Sequence, residues 1–173
     1  AGTQYAALPW REGAGGLEFL LITTRRTRRW IVPKGWPMDG RAPSATAARE
    51  ALEEAGVAGE VSEKPIGAYR YFKERKSGEL LPCRVDVFAL KVKLQRKTWA
   101  EKDMRELRWC SLNEALACVG EPGFDKNCVD CVGRIVYASS EAAPKGERHG
   151  CRESTKSRGR AHGHRWPGRR QTP

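Results

Sequence analysis

Apolar and polar residues follow two different periods along the chain, and these mark its elements. Phe19-Leu20-Leu21-Ile22 is an unbroken apolar run inside Leu17–Thr24, the pattern of a strand buried on both faces. A preceding strand, Tyr5 to Trp10, is closed off by Pro9 and the Gly13–Gly16 turn, so the two are predicted to form a hairpin. Trp30 to Val32 is a short strand. Ala58 to Ser62 and Ile66 to Phe72 read as strands, followed by a charged loop, Lys73–Pro82, that contains Gly78. Cys83 to Lys93 alternates most clearly: Val85, Val87, Ala89 and Lys91 fall on one face, Asp86, Phe88, Leu90 and Val92 on the other. Asp86 therefore lies among apolar residues, either as a paired structural carboxylate or as a site group. A polar loop, Trp99 to Arg105, leads to a strand ending at Trp109-Cys110. Ser111 and Glu114 have capping-box spacing and start a helix over Leu112–Val119 that stops at Gly120. Phe124, Cys128, Cys131 and Ile135 recur at helical spacing and predict a last helix over Phe124–Tyr137. Strands with a helix on each side make an α/β/α sandwich.

The remaining helix carries the candidate chemistry. Ser44 is its expected N-cap and Gly56 its stop. Ala48, Ala51, Leu52 and Ala55 form a narrow apolar stripe, and Glu50, Glu53 and Glu54 cluster opposite. Carboxylates spaced i, i+3, i+4 repel one another, and the helix C-terminus disfavours negative charge. A solvated charged face is one reading of the cluster. A divalent cation resolves both conflicts, and oxygen-only ligands suit Mg²⁺ or Mn²⁺. Arg49 is placed to pair with Glu53. The approach to the helix is stiffened by Pro33, Lys34, Gly35, Pro37 and Gly40, with a lysine beside the carboxylates.

Composition narrows the partners. The net charge of +11 favours polyanions: nucleotides, inositol phosphates, RNA or an anionic surface. No apolar run is long enough to cross a membrane, and no signal peptide is expected from the N-terminal residues. Six cysteines without a secretory signal suggest free thiols and a cytoplasmic location. Cys128 and Cys131 are read as small packed hydrophobes, because a second ligand pair at zinc spacing is missing. Residues 1–137 form the domain. From Ala138 to Pro173 the apolar period vanishes, with nine Lys/Arg against three Asp/Glu, so this tail is expected to be disordered and to offer at most weak RNA binding.

Gly35–Val57 resembles the Nudix box, G-x5-E-x7-R-E-U-x-E-E-x-G-U with U aliphatic. Gly35, Arg49, Glu50, Glu53, Glu54, Gly56 and Val57 fall in register. Ala51 is a small version of an aliphatic position, and Arg41 stands where the pattern has glutamate. Trp30-Ile31-Val32-Pro33-Lys34-Gly35-Trp36-Pro37 resembles the diphosphoinositol-polyphosphate and diadenosine-polyphosphate hydrolase branch of that family. The resemblance covers Gln4 to Gly120 and implies the Nudix fold, with a mixed sheet. It also implies a metal held by the Gly35 carbonyl, Glu50 and Glu54, with Glu53 completing the shell or acting as base.

All three histidines lie in the tail, so a Ser-His-Asp mechanism has no base in the body. The expected reaction is Mg²⁺- or Mn²⁺-dependent hydrolysis of a phosphoanhydride in a nucleoside diphosphate-linked, dinucleoside polyphosphate or diphosphoinositol polyphosphate substrate. Glu101, in the polar loop, is the first candidate for a base outside the box. Lys34, Arg25 and Arg28 are candidates for binding phosphate oxygens, although the Arg25–Arg29 cluster also reads as a solvated loop. Arg41 supports an alternative: a catalytically weakened module that binds a polyphosphate ligand or RNA.

Overall fold

The computed structural model of the chain describes residues 2–121. Among these, eight strands form one mixed sheet. At its centre β1 (Gly2–Gly13) runs parallel to β7 (Leu80–Gln95), in register from Gly2↔Cys83 to Trp10↔Lys91. β2 (Gly16–Thr23) returns from β1 as the expected hairpin, with Trp10 opposite Phe19. Beyond it lie β3 (Trp30–Ile31), on the far end of β2, and β8 (Leu107–Cys110), paired along Phe19–Ile22. β4 (Lys34–Gly35) is a two-residue strand laid antiparallel on Tyr5 and Ala6 of β1. β5 (Val57–Val61) and β6 (Gly67–Glu74) share the other side of β7. The β5–β7 register slips at Ala58/Gly59, and a Cβ on Gly59 would lie 1.9 Å from the Lys91 carbonyl oxygen, so the bulge requires glycine.

Alternation along the central strands divides the core into two layers. Ala7, Leu20, Ile22, Phe88 and Leu90 pack under α1 (Pro43–Ala55). Ala6, Leu8, Phe19, Leu21, Val85 and Val87 face α2 (Leu112–Cys118), whose capping box between Ser111 and Glu114 forms as expected. The α/β/α expectation therefore holds over the described residues. The Phe124–Tyr137 helix, Cys128 and Cys131, and the tail lie outside them. Cys83, Cys110 and Cys118 are free thiols. Among the described residues no helix is long and apolar enough to cross a membrane.

Four details differ from the sequence expectation. β1 does not end at Pro9 but runs on to Gly13. The lost ladder bond costs about 1 kcal/mol, whereas burying Leu8 and Trp10 is worth about 1.5–3 kcal/mol each. The predicted 73–82 loop is a tight hairpin, with Glu74 opposite Leu80 and Gly78 at φ +83°. Helix α1 starts at Pro43, not after a Ser44 cap. Proline presets φ and lacks an N–H that would be unsatisfied there anyway, and Ala42 caps without a side-chain bond. The buried face of α1 is Thr46, Ala47, Ala51, Glu54 and Ala55, rotated from the predicted stripe, because Glu54 finds partners inside the protein.

Candidate active site

The pairing of β4 with β1 fixes the base of the site. Ala7 N–H donates to Pro33 O at 3.0 Å, which draws the chain before α1 under the helix. Gly35 is buried there, and an ideal Cβ on it would sit 1.9 Å from Glu50 Oε1 and 2.2 Å from its Cδ. The Glu50 carboxylate thus lies directly on the Gly35 backbone.

One turn further along α1, Glu54 accepts a hydrogen bond from Lys34 N–H at 3.1 Å and another from Arg105 Nη2. Arg105 was not singled out in the sequence, although its i, i+4 spacing from Glu101 is a signal. Its guanidinium side chain is only 7% exposed. Nε donates to Glu101 Oε2 at 2.6 Å and Nη1 to Thr23 O at 2.9 Å. The loop carrying Glu101 is seated on the end of α1: Glu101 N–H donates to Glu53 O at 3.1 Å, and Trp99 packs where Gly56, in the left-handed conformation at φ 69°, has no Cβ.

Electrostatics mark the same cluster. Burial raises the Glu54 carboxyl to about 7; Glu50 and Glu101 push the same way, against Arg105 and the Lys34 N–H. Burial also raises Glu50, with help from Glu53 and Glu101 and opposed by Arg105 and Arg49. Negative charge is in excess at this spot.

Of the residues proposed from sequence, Gly35, Glu50, Glu54 and Glu101 come together, and Arg25 stands at the rim with Nη1 3.5 Å from Glu101. Glu53 and Arg49 lie beside them, half-exposed and paired with each other. Lys34 and Arg28 differ from expectation. Side chains alternate along a strand, so with Gly35 under α1 the Lys34 side chain leaves on the opposite face. Its Nζ lies 2.7 Å from Glu121 Oε1 and 5.1 Å from the centre of the Tyr71 ring, away from the carboxylates. Arg28, at φ 54°, bonds Glu106 and the Met104 carbonyl and braces the polar loop. Asp86 takes the structural role, paired with Arg84 at 2.8 Å. Arg41 is exposed.

Both members of the Lys34–Glu121 pair are 7% exposed, and Tyr69 Oη also donates to Glu121, at 2.5 Å. Lys34→Met strands a buried carboxylate, and stability is expected to fall by about 3 kcal/mol. The double variant Lys34→Met/Glu121→Gln should recover most of it. Urea unfolding of the three chains checks this.

On the Lys34 side of the sheet lies a cavity of about 900 Å³ whose wall includes Arg29, Arg70, Arg84, Tyr71, Phe72 and Glu121. Arg84 is paired with Asp86 and Glu121 with Lys34, which leaves Arg29 and Arg70 as the cations of the wall, so the cavity favours anions. Lys34 links the two regions, with its N–H on Glu54 and its Nζ on Glu121.

Among the described residues no three His, Cys, Asp or Glu side chains converge closely enough to hold a cation as they stand, since Arg105 and Arg49 take carboxylates. The donor set nevertheless fits a hard dication. It is all oxygen, two of its carboxyls are raised by crowding and burial, and glycine leaves the Gly35 backbone open beside Glu50. Glu50, Glu54 and the Gly35 carbonyl are the residues that would hold it.

The NUDIX domain model matches residues 5–130, and the chain belongs to that family. It is 36% identical over 105 residues to Nudix hydrolase 13, mitochondrial, of Arabidopsis thaliana, covering 58% of this chain and 52% of that protein. It is 31% identical over 102 residues to mouse diphosphoinositol polyphosphate phosphohydrolase 3-alpha, covering 57% and 58%. The chain thus spans about half the length of the curated relatives it matches. The fold is similar to the Ap4A hydrolase of C. elegans, at TM-score 0.55 and 20% identity, covering 79% of this chain and 98% of that one. It is also similar to the NUDIX domain of Shewanella oneidensis NrtR in complex with ADP ribose, at TM-score 0.58 and 11% identity, covering 78% and 87%. Nudix hydrolases generally use divalent metals.

Proposed function

We propose that the chain hydrolyses a phosphoanhydride bond with Mg²⁺ or Mn²⁺, in a nucleoside diphosphate-linked, dinucleoside polyphosphate or diphosphoinositol polyphosphate substrate. One observation carries this reading: Glu50 lies against the Gly35 backbone, and Glu54, one turn further along the same helix, shares the buried Arg105 with Glu101.

A bound dication supplies positive charge that polarises the diphosphate and acidifies a water. Glu101, hydrogen-bonded to Arg105, takes a proton from the attacking water, with Glu53 the second candidate for this role. The water oxygen bonds to one phosphorus and the P–O bond to the bridging oxygen breaks, leaving two phosphate products. Arg25 at the rim offsets charge on the phosphate oxygens.

A panel of diadenosine polyphosphates, nucleoside diphosphate-linked compounds, diphosphoinositol polyphosphates and capped RNA tests the reading. Cleavage of at least one into two phosphorylated products, or into a phosphate ester and inorganic phosphate, is expected with Mg²⁺ and none with excess EDTA. Arg41, exposed where the family pattern has glutamate, favours a second reading, a weakened module that binds polyphosphate or RNA. Micromolar binding of a panel compound without Mg²⁺-dependent turnover would establish that reading in place of the first. If RNA binding depends on the tail, deleting residues 138–173 lowers it, and unchanged affinity removes that part.

A further inference from the structure

The polar loop is pinned at both ends, and the two anchors meet at one side chain. Thr23 N–H donates to Glu106 O and Glu106 N–H to Thr23 Oγ1, each at 3.0 Å, which fixes the far end of the loop on β2. Glu101 N–H on Glu53 O fixes the near end on α1. Arg105 spans the gap with all three of its nitrogens: Nη1 on the Thr23 carbonyl, Nε on Glu101 and Nη2 on Glu54. A planar fork makes these bonds in fixed directions, which lysine cannot copy. It also places one permanent positive charge, nearly shielded from water, among carboxylates that otherwise carry excess negative charge.

We infer that Arg105 is a positioning residue that couples the two halves of the site. It holds the Glu101 carboxylate at the level of Glu54, and it limits how strongly the cluster attracts a dication. The inference rests on the proposed function only for its kinetic half. Arg105 touches carboxylates and acts through them.

The two roles predict opposite changes. In Arg105→Gln the guanidinium no longer opposes a dication, so Mn²⁺ binds about tenfold tighter in the full chain by calorimetry. Glu101 loses its fixed position, so kcat falls about 10²-fold while KM stays within about twofold. Loss of packing alone would weaken Mn²⁺ binding and not strengthen it. Arg105→Lys keeps the charge and loses the fork: Mn²⁺ affinity stays within about twofold of the parent, and kcat still falls more than about tenfold. Arg105→Lys also carries the test if the glutamine variant does not fold. Unchanged or weaker Mn²⁺ binding in folded Arg105→Gln overturns the charge role. A kcat within about twofold of the parent in Arg105→Lys overturns the positioning role. If the parent turns over no diphosphate, the functional reading fails, and Mn²⁺ binding still decides the charge role.

Discussion

Glu54→Gln is expected to lower Mg²⁺-dependent phosphoanhydride cleavage by about 10³-fold, equivalent to about 4 kcal/mol of transition-state stabilisation, while the fold survives. Both Glu54 oxygens are already engaged, one by the Lys34 N–H and one by Arg105, so the carboxylate has a fixed direction. An amide keeps the shape but gives up the charge that a dication needs. The variant should fold because burial already favours the neutral carboxyl, raised to about 7, and glutamine resembles that form. Glu54 holds its proton longer folded than unfolded, so in metal-free protein it removes stability as pH rises from about 4.5 to about 7. A dication must displace that proton, so Mn²⁺ affinity of the parent rises with pH, up to about tenfold per unit below pH 7, and levels off above. Calorimetry at pH 6 and 8 should show this rise in the parent and lose its Glu54 share in the variant. Turnover within about tenfold of the parent would remove Glu54 from the site.

Gly35→Ala should lower turnover by about 10²-fold through a different route. The Gly35 φ is not in the left-handed region, so the backbone accepts alanine. The added methyl would overlap Glu50 Oε1 at 1.9 Å, and a glutamate tip is free to swing away. The carboxylate then shifts by more than an ångström from the position set by the Gly35 backbone, and displacements of about 1 Å can cost about 10² in rate. Melting temperature should change little and Mn²⁺ affinity should fall about tenfold. Full activity with a methyl at Gly35 would show that contact with Glu50 is not part of the chemistry.

Much of the architecture is local information. The double-sided apolar run at Phe19–Ile22, the alternation over Cys83–Lys93, the Ser111–Glu114 box and the Gly56 stop each depend on a few neighbouring residues, and each is found in place. The box spacing also placed Glu50 and Glu54 on one helix and Gly35 ahead of it, before any contact was known. The site misses share another cause. Lys34 looked like a site cation because it is next to Gly35 in sequence, yet adjacency on a strand sends side chains to opposite faces, and Glu121 received it 87 residues away. Helical spacing puts Glu54 opposite the apolar stripe with Glu50 and Glu53, yet it is buried. Its partner, Arg105, lies 51 residues further along.

By itself the chain of residue types determined the strands, the two helices flanking the sheet, the acidic helix face and the family box, since each follows from periodicity or fixed local spacing. Tertiary structure alone decided how Glu101 is seated against Glu54, that a buried arginine sits between the two, and that the basic cavity opens on the Lys34 face. Those outcomes depend on strand register and on pairs brought together from far apart in sequence. A period of two or 3.6 residues carries no information about which distant partner fills the space it leaves.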